Sequence, residues 1–139
     1  MKYFRFAILT AFLVFGVTLA SADIFKDPMK AEPAFDPTAM VDFKGAVAEV
    51  RELPELAVLG GIHLIVKYNG EKVDVYVGPK KLMKLFNVSF AEGDFVHVIG
   101  SRVASGEVIL ASEVIRGKLS LTLREADGTP VWKGWLSAL

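Results

Sequence analysis

Read in order, the sequence offers three strands, a short helix and two more strands. That order predicts a mainly β protein: a small OB-type Greek-key barrel with one short helix between strands three and four, plus an extra C-terminal strand or hairpin. Three observations carry this prediction. Asn69-Gly70 lies between two β-rich runs and is a strong short-range hairpin signal. Gly93-Asp94 opens, and Gly100 closes, a run of apolar β-formers. Leu119, Leu121 and Leu123 alternate with polar residues beyond the fifth strand.

A length of 139 residues suits one domain. Residues 1–22 read as a signal peptide. Lys2 and Arg5 supply the positive start, residues 6–22 carry no charge, and Ala20-Ser21-Ala22 supplies the small residues before a cut at Asp23. This predicts a periplasmic or secreted protein. The alternative is an uncleaved segment, residues 6–22, tethering the domain to a membrane; its 17 residues are at the short limit for a span. Residues 23–40 hold three of the six prolines and read as a leader or linker. Residues 41–139 form the barrel domain, with 117–139 as its C-terminal extension.

The first strand, residues 41–51, places Val41, Phe43, Gly45 and Val47 on one face. Val50 breaks that phase, which predicts a bulge. Gly45 within the strand predicts a bend or a close backbone approach. Residues 62–68 and 72–78 form the hairpin. Ile62, Leu64, Val66 and Tyr68 share one face, and Val73, Val75 and Val77 point to the core. Pro79 suits the first turn of a helix over 79–86, in which Leu82, Leu85 and Phe86 would cover a barrel opening. In the fourth strand Val96 and Val98 oppose Phe95, His97 and Ile99, so both faces are expected to be covered. In the fifth, residues 107–116, Val108, Leu110 and Val114 are assigned one phase and Ile109 and Ile115 the other, with a twist or bulge between them. Residues 125–130 make a turn, after which residues 131–135 return as a further strand.

This pattern over residues 41–116 resembles exported bacterial OB-fold proteins of the BOF type. The resemblance rests on strand order, the hairpin, the helix position and Gly93-Asp94 before strand four. It implies ligand binding on a barrel face in the periplasm. The first strand reads Val41-Asp42-Phe43-Lys44-Gly45-Ala46-Val47, where that family has an acidic D-D-x-x-V-x-L-x-G signature. Exported haem chaperones of the same barrel type need tyrosine four residues after a histidine. Lys67 and Ser101 stand at those positions after His63 and His97, so covalent haem carriage is rejected.

Composition narrows the function. The absence of cysteine excludes disulfides, thiolate metal sites and a cysteine nucleophile. Formal charge is +0, with 16 basic and 16 acidic residues. Lys2 and Arg5 are the only charges in residues 1–22, so the remainder holds 14 basic and 16 acidic residues, a balance of −2. That balance and export disfavour nucleic acid. No nucleophile motif, zinc-protease motif or phosphate loop occurs, so no enzyme, resident metal or cofactor is expected.

The expected function is a non-enzymatic binding or accessory domain holding a small ligand or a periplasmic protein. The candidate binding residues are His63, Tyr76, His97, Trp132 and Trp135. Two alternatives stand beside it. One is a single-stranded nucleic-acid or anionic-polymer binder using the basic cluster Lys80, Lys81 and Lys84. The other is a metal- or haem-handling accessory of periplasmic electron-transfer maturation. His63 and His97 would supply half of a metal site only if both faced one groove; two unrelated strand histidines are the expectation, and no metal site is assigned. The membrane enters only through the N-terminal segment, if it is uncleaved.

Overall fold

The computed structural model describes residues 33–103 and 106–134. All of these except Leu56–Val58 belong to one compact unit. The expected signal peptide, most of the leader and Trp135 lie outside the described residues.

The elements are β1 (Met40–Leu53), β2 (Gly61–Tyr68), β3 (Glu71–Gly78), α1 (Lys80–Phe86), β4 (Phe95–Arg102), β5 (Val108–Arg116) and β6 (Leu119–Thr122). The sheet order is β3-β2-β1-β4-β5-β6. A parallel pairing of β3 with β5, Asp74 to Val108 through Tyr76 to Leu110, joins the two ends of the five-strand run. Hydrogen bonds therefore run in a ring through β1, β2, β3, β5 and β4, as an OB-type barrel requires. β6 adds to the free edge of the last four residues of β5, Glu113–Arg116.

Alternation fills the barrel. Phe43 and Val47 of β1, Leu64 and Val66 of β2, Val75 and Val77 of β3, and Val96 and Val98 of β4 share one buried core. The β1 bulge lies between Val47 and Glu49, and it returns Val50 to the core side. A Cβ on Gly45 would collide with the Lys67 carbonyl of β2, so a side chain there would part the strands.

The structure corrects four expectations. In α1 the buried pair is Leu82 and Met83, while Leu85 is 54% exposed and Phe86 39%. The helix has only seven residues, and its angle to the barrel, not its apolar count, chooses the covered face. The outer face of β4 is covered unevenly: Phe95 is 62% exposed, beside the small Ala46 of β1, His97 and Ile99 are half-buried, and Ser101 is buried under Asp36. In β5 the core residues are Ile109, Ala111 and Val114. The register against β4 skips Ser112, which moves the inward phase by one residue. Leu110 is therefore buried on the outer face, opposite Tyr76. Finally, residues 131–134 form turns instead of a strand, joined to the preceding segment by a single bridge between Arg124 and Pro130. The Val131 N–H donates to the Leu123 carbonyl at 3.0 Å, and Pro130 has no N–H to extend the ladder.

Candidate functional site

A groove lies beside α1, lined by described residues of β1, β2, the helix and the turn that follows it. It begins with local backbone chemistry. Asn87 ends the helix in the left-handed conformation, φ 56, which an asparagine tolerates better than most residues. The chain then turns back, and the Val88 N–H donates to the Met83 carbonyl at 3.0 Å. Arg116 of β5 holds the next stretch. Its guanidinium donates to the Ser89 carbonyl at 2.7 Å and to Asp94 at 3.1 Å, and it lies 5.1 Å from the centre of the Phe90 ring. Asp94 also accepts from the Ala91 N–H at 2.9 Å. The Gly93-Asp94 turn docks on β1 through two bonds with Val47, each 2.8 Å.

These contacts set Val88 and Phe90 opposite Val50, Ile62 and Met83 across a cavity of about 310 Å³. Its apolar floor belongs to those five side chains. Lys80, Lys84, Asn87 and Ser89 stand at its rim. Lys80 forms an ion pair with Glu52 at 3.2 Å. Lys84 has no ion-pair partner among the described residues. A pocket with apolar walls and a few polar groups at its mouth is the usual form of a small-ligand site, and the volume is at the lower end of the usual range.

His63 and Tyr76 come together on the outer face of β2 and β3. Their rings are 5.0 Å apart as a cross-strand pair. Both are buried, His63 to 2% exposure. The Tyr76 hydroxyl donates to the Gly60 carbonyl at 2.9 Å. His63 Nε2 donates to the Leu59 carbonyl at 2.8 Å, and Nδ1 is 2.8 Å from Asp74 Oδ1. The two rings therefore fasten the strand-one to strand-two connection to the barrel wall. Leu59 enters this contact with φ 57 and is itself buried.

Trp132 joins the same side of the molecule. Its ring meets Tyr76 edge-on at 6.5 Å, and the Arg124 guanidinium stands 5.3 Å from its centre. His97 is placed elsewhere, on β4 between Lys44 of β1 and Ile115 of β5, and it hydrogen-bonds Asp42. Of the basic cluster, Lys80 and Lys81 are paired with Glu52 and Glu55, the second at 3.8 Å. Among the described residues no group of three or more His, Asp or Glu side chains is arranged to hold a metal.

Sequence reasoning passed over the groove because its floor is made of ordinary apolar residues. Two signals pointed towards it. The phase break at Val50 returns that side chain to the barrel end, and Asn87 directly after the helix marks a sharp return of the chain.

The family model that matches the chain is described as the MamS/MamX magnetosome protein family, and it covers residues 39–121. That stretch spans the five-strand ring and α1 and reaches into β6. No curated protein matches the chain.

Proposed function

The chain belongs to the MamS/MamX magnetosome protein family, and from that premise we propose that it is a non-catalytic accessory domain of magnetosome formation that binds a ligand in the groove beside α1. The observation that carries this reading is the groove itself, with its apolar floor and the unpaired Lys84 at its mouth. The family match supports the accessory role, because it covers the elements that build the groove. The resemblance to exported BOF-type proteins points the same way, towards ligand binding on a barrel.

On this reading residues 1–22 direct export and the barrel works outside the cytoplasm. The polyanion alternative is the weaker one, because two of its three lysines already face carboxylates and phosphate binding draws on several free cations.

A strain lacking the gene tests the role. It is expected to form fewer or smaller magnetosomes by electron microscopy, and the intact gene is expected to restore them. Normal magnetosomes in that strain would overturn the accessory role. The mass of the protein purified from the same host tests export: a chain starting at Asp23 is expected, and a retained N-terminus would make the domain membrane-tethered.

A further inference from the structure

The groove has features that select a class of ligand. Its floor is aliphatic and aromatic: Val50, Ile62, Met83, Val88 and Phe90. Among the described residues, no acidic one lines it. The charges at its mouth are both positive, and Glu52 answers only Lys80. Asn87 and Ser89 add hydrogen-bonding groups beside Lys84. Nine of the described residues line it, well short of the roughly 20–30 residues a side of a standard protein interface. Size therefore favours a small molecule over a folded partner, and the charge favours an anion.

We propose that the groove binds a small amphiphilic carboxylate, with the aliphatic chain on the apolar floor and the carboxylate at Lys84. The proposal rests on the reading of this groove as the ligand site. A methylene is about the size of one water, ~30 Å³ in the liquid, so a groove of about 310 Å³ suits a chain on the order of ten carbons. Burial of each methylene raises affinity about fourfold, and the chain therefore supplies most of the affinity. Lys84 is exposed, so its pairing with the carboxylate decides selectivity more than strength.

Methyl NMR of the purified full chain tests this, with decanoate, decanol and decylamine as probes below their micelle limits. Decanoate is expected to shift the methyl signals of Val50, Ile62, Met83 and Val88 and to leave those of Val73 unchanged. Affinity is expected to fall from decanoate to decanol to decylamine. Lys84→Gln should weaken decanoate binding about two- to fivefold and bring it level with decylamine. Groove methyls that ignore decanoate would overturn the proposal. So would equal binding of decanoate and decylamine, or a response confined to an acetylated Leu-Asp peptide. Failure here would leave the magnetosome phenotype of the deletion strain untouched, and a normal deletion strain would leave this binding result standing.

Discussion

Both ring nitrogens of His63 face oxygens, and the Leu59 carbonyl can only accept. Nε2 must therefore carry a hydrogen, and the contact between Nδ1 and Asp74 needs a second proton, on the ring or on the carboxylate. Asp74→Asn supplies that hydrogen from its amide, whereas Asp74→Ala leaves a buried nitrogen without a partner. We expect urea unfolding to show the alanine variant less stable than the asparagine variant, by about 1 kcal/mol. Tyr76→Phe removes the bond to Gly60 and should lower stability by a similar ~1 kcal/mol with an unchanged slope. At the surface, Asp36 accepts from the Thr38 hydroxyl at 2.6 Å and from its N–H at 2.9 Å, and these bonds hold its carboxyl below the usual value. A lowered carboxylate stabilises the fold above its unfolded-state pKa, and this contribution is lost as pH falls through the folded value. Thr38→Val should raise the Asp36 titration midpoint in carboxyl-carbon NMR; an unmoved midpoint would remove the hydroxyl as its cause.

Gly45 shows what the strands required of the sequence. A Cβ there meets backbone of the neighbouring strand, which cannot swing aside as a side chain would. Gly45→Ala should cost roughly 1–3 kcal/mol in chemical denaturation; an unchanged midpoint would mean the strands can separate freely at that point. The elements most legible in the sequence are those decided locally. The Asn69-Gly70 hairpin is one, with both residues at positive φ, 51 and 78. The β1 bulge is another, because Val50 falls out of phase within its own strand. The inward set of β5 was not legible, since the skip at Ser112 is defined only against β4. The Ser112 carbonyl then accepts from Leu123 and Arg124, so the same bulge ties down the C-terminal extension. In α1 two turns give too little periodicity to separate Leu82 and Met83 from Leu85 and Phe86.

At the scale of the molecule, the ring of strands was readable from element order, and the candidate site was readable only in part. His63 and Tyr76 share a face as their strand phases require, yet the loop that covers them belongs to tertiary structure. The groove draws Val50, Ile62, Met83, Val88 and Phe90 from three separate stretches of chain, none with a polar motif to mark it. The family match covers all three stretches. The most direct measurement compares two variants in a strain lacking the gene. Ser89→Trp closes the mouth of the groove from an exposed position, and Glu71→Trp places the same bulk at the start of β3, at the opposite end of the β2–β3 pairing from Ile62. Both proteins should match the parent in level and thermal midpoint. Restored magnetosomes with Glu71→Trp but not with Ser89→Trp is the expected result. Full restoration by a stable Ser89→Trp protein would contradict the groove as the working surface of this domain.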